Sequence, residues 1–266
     1  MLTLLGLGLV ALSVLIITAS AMVTAQYIPL SMSRTDYRPP AISWIHNEPD
    51  AWVSSHWTGF NLIAMASSAI MGVITLFCSP FGQVFTTGGQ GYSDFPMSIL
   101  AVESACMLGF HAVWSTGLDW RFHKIPRWSL VSHILIQLAF TVTCCALSPG
   151  YAWMILSIIM ISIICWLSGL LPGSGMSDGR LYVIVAACTV PFLWISTWLP
   201  VAIACAAAII NAIVSSVTGG ALIHAERKTR LPLGKRLMTA KSPMGPFVSI
   251  AFLACYMVYI TGLLVF

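Results

Sequence analysis

Apolar residues run along this chain in long unbroken blocks, not in the alternation of a half-buried strand or the one-sided stripe of a surface helix. Residues 1 to 33 carry no charge, Trp128 to Ser177 carry none over fifty residues, and Leu181 to Ala225 carry none over forty-five. A membrane-crossing helix needs about 20 predominantly apolar residues. Cut to that length, the blocks predict eight spans: 2 to 25, 58 to 80, 97 to 118, two within 128 to 177 that turn at Ser148-Pro149-Gly150, two within 181 to 225 divided near Pro200, and 245 to 266. The first span has no basic segment before it, so it reads as a retained helix and not as a cleaved signal peptide.

Composition places the chain in lipid. Of 266 residues 58% are hydrophobic and 8% charged, and the mean hydropathy is +0.91, which leaves too little polar surface to cover a fold in water. The expected class is therefore all-α, a polytopic integral membrane protein with about eight transmembrane helices. The net charge of +4 comes with no basic run interleaved with aromatics, so no nucleic-acid partner is expected. Eight cysteines never form a C-x-x-C pair and nearly all sit in apolar runs, where they read as small core residues.

The distribution of charge orients the spans. With the N-terminus outside, the cytoplasmic loops are 26 to 57, 119 to 128, 172 to 180 and 223 to 244, and all 12 basic residues fall in them: Arg34, Arg38, Arg121, Lys124, Arg127, Arg180, Arg227, Lys228, Arg230, Lys235, Arg236 and Lys241. The opposite loops have none, which is the positive-inside asymmetry. Trp44, Trp52, Trp57, Trp120 and Trp128 fall near predicted interfaces, as anchoring tryptophans do.

Two acidic residues then need an explanation. Asp119 ends the third predicted span and Asp178 opens the sixth, so the topology puts both at one depth on the cytoplasmic side. Each has an ordinary reading as a helix cap or as the partner of a neighbouring arginine. Each also stands among residues that let backbones approach or stop a helix: Gly173, Gly175 and Gly179 near Asp178, and Ile125-Pro126 after Asp119. Two carboxyl groups within reach of each other in a poorly solvated site share a proton. In that state one activates water and the other polarises a carbonyl and protonates a leaving amine. No G-x-S-x-G, H-E-x-x-H or evident Ser or Cys nucleophile competes. Glu103 and His111, inside span three, read equally as the lining of a wet cavity or as helix-packing hydrogen bonds. Asp119 and His123, four apart, lack a third ligand, and no metal or cofactor is expected.

The segment Leu118-Asp119-Trp120-Arg121-Phe122-His123-Lys124-Ile125-Pro126 resembles the first catalytic motif of the type IV prepilin peptidases, and Gly175-Met176-Ser177-Asp178-Gly179-Arg180-Leu181 is similar to their second, the Gly-x-Gly-Asp of membrane aspartyl proteases. Pro243-Met244-Gly245-Pro246-Phe247 resembles the start of that family's last helix. The resemblance covers about 97 to 266, which it marks as a six-span catalytic core behind an N-terminal two-span region, 1 to 96. It implies Asp119 and Asp178 as the catalytic pair, with Pro126, Gly175, Ser177, Gly179, Gly245 and Pro246 in support. It further implies an aspartic endopeptidase of the bacterial inner membrane that removes the short basic leader of prepilin or pseudopilin precursors at the cytoplasmic face, alongside pilus or secretion components. Asp36, Glu48 and Asp50 are candidates to receive the leader, with a solvated loop as the plainer reading. Ser177 replaces the family's Gly, and the residue is small enough that activity is expected to survive. Members of that family that also methylate carry paired C-x-x-C motifs after the first helix, and the 26 to 57 loop lacks cysteine, so the resemblance implies a peptidase without a recognisable methyltransferase domain. Two other classes stay open: a cation- or proton-coupled transporter using Glu103, Asp119 and Asp178, and a non-catalytic membrane subunit of a pilus or secretion assembly.

The charge asymmetry makes a direct prediction. In whole cells, an impermeant thiol reagent should label Gly88→Cys and leave Leu233→Cys untouched; the reverse pattern would overturn the orientation.

Overall fold

The computed structural model describes residues 1–25, 49–86, 95–122, 125, 127–168, 176–193, 202–203, 206, 210 and 245–260. Among these the chain is all-helical: α1 (Leu2–Ala25), α2 (Pro49–Cys78), α3 (Phe95–Phe122), α4 (Arg127–Leu147), α5 (Trp153–Ser168), α6 (Met176–Leu193) and α7 (Gly245–Ile260), with short helical turns at Pro80–Gly82, Gln83–Thr86 and Pro149–Tyr151. Segments of α1, α2, α3 and α4 are long and apolar enough to cross a membrane, and α5, α6 and α7 contain shorter apolar helices. This architecture suits a polytopic membrane protein. The division at Pro200 and the segment 261–266 lie outside the described residues.

Helix α3 is the axis of the bundle and packs against α1, α2, α4, α6 and α7. Its apolar window is 83% buried, against 33% for α1 and α4 and 39% for α2. The reason is in its residues. Glu103, Ser104, His111, Ser115 and Asp119 make it the most polar of the four, and polar groups that cannot face hydrocarbon turn toward protein.

Between membrane helices the contact rests on close packing and interhelical hydrogen bonds, which favours small residues at the interface. Ala64, Ser68 and Gly72 of α2, and Ala101, Ala105 and Gly109 of α3, recur every fourth position and so line one face of each helix. Ser67 Oγ donates to the Gly109 carbonyl at 2.8 Å and Ser68 Oγ to the Cys106 carbonyl at 2.8 Å. A Cβ on Gly109 would lie 2.7 Å from both Met71 Cγ and the Ser67 carbonyl oxygen.

Two helices run past the expected spans, although the membrane-length segments within them, Gly59–Cys78 and Phe95–Asp119, agree with 58 to 80 and 97 to 118. Helix α2 begins at Pro49, inside the expected 26 to 57 loop, where proline at a helix start loses no bond; the side chain of Asp50 lies outside the described part. Helix α3 continues past 118 to Phe122, so Asp119 is in its last turn and does not follow its end. The expected turn at Ser148-Pro149-Gly150 is found: Ser148 N–H closes α4 on the Cys144 carbonyl at 2.9 Å before the short turn Pro149–Tyr151. Five cysteines, at 106, 144, 145, 188 and 255, are buried as expected, but Cys78 is exposed at the end of α2.

The packing at Gly109 predicts that Gly109→Ala destabilises the protein by about 1–3 kcal/mol through overpacking. Gly8, where an added Cβ meets nothing within 4 Å, should accept alanine with no loss. Melting curves in detergent compare the two.

Candidate active site

Polar residues on α3 and α4 fall into two stripes at a spacing of four. On α3 they are Glu103, His111, Ser115 and Asp119; on α4 they are Ser129, His133, Gln137 and Thr141. All eight are buried. At this spacing each set lies on one helix face, and the two stripes meet. His133 Nδ1 is 3.0 Å from His111 Nε2, and Gln137 Nε2 donates to Ser104 Oγ at 2.9 Å. Gln137 Oε1 in turn accepts from Cys188 Sγ of α6 at 3.1 Å.

Asp119 stands at the end of its stripe, 4% exposed. Its position near the carbonyl-rich end of α3 is unfavourable for a carboxylate taken alone. The last helix resolves this: Gly245 N–H, the first amide of α7, donates to Asp119 Oδ2 at 2.6 Å. An orphan donor at one helix start is thereby matched to a carboxylate at another helix end. Pro246, next in α7, has no N–H to satisfy. Only glycine fits at 245, since an added Cβ would lie 2.8 Å from Asp119 Cβ, 3.0 Å from Oδ2 and 3.1 Å from the Ser115 carbonyl oxygen. Asp119 thus caps a helix, as the plainer sequence reading has it, but the helix is not its own.

Asp178, Ser177 and Gly179 lie in the first turn of α6, with Gly179 buried. Helix α6 runs alongside α4 in the same direction: Cys188 meets Gln137, and Arg180 shares a groove with Val131. Helix α4 begins five residues after α3 ends, so the start of α6 lies at the Asp119 end of the bundle, where α7 also begins. Helix α6 packs against both α3 and α7. The backbone therefore brings the first turn of α6, the last turn of α3 and the first turn of α7 to one end. The side chains of Ser177 and Asp178, and residues Pro126, Gly175, Asp36, Glu48 and His123, lie outside the described part.

Glu103 and His111 resolve differently. His111 is a helix-packing residue: besides His133, its Nδ1 meets Ser115 Oγ at 2.6 Å. Glu103 is fully buried, and among the described residues neither carboxyl oxygen has a hydrogen-bond partner. His133, Ser115 and Gln137 escaped the sequence reading, although the spacing of four within apolar spans is a signal that could have found them. Among the described residues no group of three His, Cys, Asp or Glu is placed to hold a metal ion. Set against protein-family models, curated proteins and solved structures, the chain matches none of them.

An unpartnered buried carboxyl opposes folding, and a thioether of similar size carries no such penalty. Glu103→Met should therefore raise thermal stability in detergent by about 1–3 kcal/mol, whereas a lower melting temperature would reveal a partner for Glu103.

Proposed function

We propose that the protein is an intramembrane aspartyl endopeptidase of the bacterial inner membrane, with eight crossings and the N-terminus outside, that removes short basic leaders from prepilin-like precursors. The observation that carries this reading is the convergence of the three motif-bearing turns, with buried Asp119 joined to the α7 amide and Asp178 at the same end of the bundle. In the proposed reaction Asp119 and Asp178 share one proton. The ionised carboxylate takes a proton from water as the water oxygen bonds to the scissile carbonyl carbon, while the protonated one stabilises the carbonyl oxygen. The C–N bond then breaks and the departing amine takes up a proton. The Gly245 amide holds the Asp119 carboxylate in one orientation, the preorganisation such a step requires. An apolar groove of about 470 Å³ between α4, α5 and α6, reaching down to Arg180, is of a kind to receive apolar side chains of a precursor helix.

One observation favours a second reading. A buried carboxyl within a span is a candidate proton or cation site, and Glu103 has no hydrogen-bond partner among the described residues. A transporter of that kind would lose ion flux in proteoliposomes on Glu103→Gln and would never cut a leader.

Co-expression with leader-bearing precursors, with the products read by mass, tests the peptidase. Asp119→Asn, Asp178→Asn and the double variant should each lose at least about a thousandfold in rate, without additivity. Asp→Glu at either position should lose about a hundredfold, because displacement on the scale of 1 Å is enough to misplace the carboxylate. Asp119→Asn keeps an oxygen for the Gly245 amide and should accumulate normally. Asp119→Ala should destabilise the protein by about 1 kcal/mol. Full leader removal by either Asn variant would overturn the assignment.

A further inference from the structure

A hydrogen-bond chain crosses three helices behind Asp119. His133 Nε2 is 3.1 Å from the Ile17 carbonyl oxygen of α1, His133 Nδ1 is 3.0 Å from His111 Nε2, and His111 Nδ1 is 2.6 Å from Ser115 Oγ. A carbonyl can only accept, so in the neutral rings the direction of every link follows from that end. His133 donates to Ile17, His111 donates to His133, and Ser115 donates to His111. Both imidazoles are fully buried and enclosed by Phe110 and Trp114, whose ring centroids lie 5.5 to 6.2 Å from theirs.

Ser115 thereby gives its proton to a side chain and, like Ser67 and Ser68, not to a carbonyl of its own helix. Thr24, Thr141, Thr143 and Thr189 each donate to the carbonyl four residues earlier in their own helix. That local bond competes with the helix ladder and bends helices. Ser115 gives its proton to His111 instead. Its carbonyl faces Gly245, and Asp119 follows one turn later, where there is no space to absorb a shift. We propose that His133, His111 and Ser115 act as one directional chain that positions Asp119 against the start of α7, the two histidines being positioning residues for the carboxylate. Loss of His133 leaves the His111 N–H without its acceptor, frees the ring to turn, and releases the Ser115 hydroxyl to bond back into α3, which displaces Asp119 from Gly245. The positioning of the carboxylate stands on geometry alone; its consequence for cleavage rests on the peptidase reading.

The test is hydrogen exchange at the Gly245 amide in the full chain in detergent, read on short peptides from the start of α7. Gly245 opens its helix, so its protection reports the Asp119 bond and not the α7 ladder. His133→Leu and Ser115→Ala should each speed this exchange roughly tenfold, leaving the later turns of α7 protected. The double variant should be no faster than either single one, because His133 and Ser115 are linked only through His111 in this chain. His133→Gln, which restores a donor to Ile17 and an acceptor to His111, should recover most of the protection. In the cleavage assay the same variants should lower kcat with KM little changed. Unaltered Gly245 exchange in both single variants, or additive effects in the double, overturns the chain. Coupled exchange in a wild-type protein that cuts no leader overturns the peptidase reading and leaves the chain standing.

Discussion

Polar side chains cannot be left facing hydrocarbon, and on α3 they are too many to be hidden by snorkelling to an interface. That constraint puts α3 at the centre, with α1, α2, α4, α6 and α7 around it. The small residues on the α2 and α3 faces follow from the same demand. They let the backbones approach until the Ser67 and Ser68 hydroxyls reach carbonyls of the neighbouring helix. A central helix held on all sides is also a rigid support for a carboxylate at its end.

The contact between Asp119 and Gly245 joins positions 126 residues apart. Three sequence features that look unrelated have one physical basis there. A carboxylate near a helix C-terminus needs a donor, a helix N-terminus has donors to spare, and only a residue without Cβ lets the two approach. The proline that follows adds no unsatisfied amide to a buried helix start.

Buried polar groups in this bundle divide into two kinds. His111, His133 and Gln137 find partners across helices, and Ser115 bonds His111 within α3, so their burial adds specificity to how α1, α3, α4 and α6 fit together. Glu103, on the same face of α3, finds none among the described residues. On α4, His133 stands across from His111, and Gln137 engages Ser104 of α3 and Cys188 of α6.

The sequence by itself determined the class of fold and much of its segmentation, because charge-free blocks of membrane length and the Ser148-Pro149-Gly150 turn are local properties of the chain. Asp119 and Asp178 were legible for a similar reason, since ionisable residues at the edges of apolar blocks stand out one at a time. The spacing of four along α3 and α4 was present too, but spacing shows only that residues share a face, and not what faces them. Only the tertiary structure decided that Asp119 meets the amide of Gly245, that His111 is bonded while Glu103 has no hydrogen-bond partner among the described residues, and that the Ser115 hydroxyl bonds the His111 ring. Those outcomes depend on the rotation and height of one helix against another. In a bundle where most positions are apolar, small residues and a few buried hydrogen bonds set that register, and the hydrophobic pattern does not.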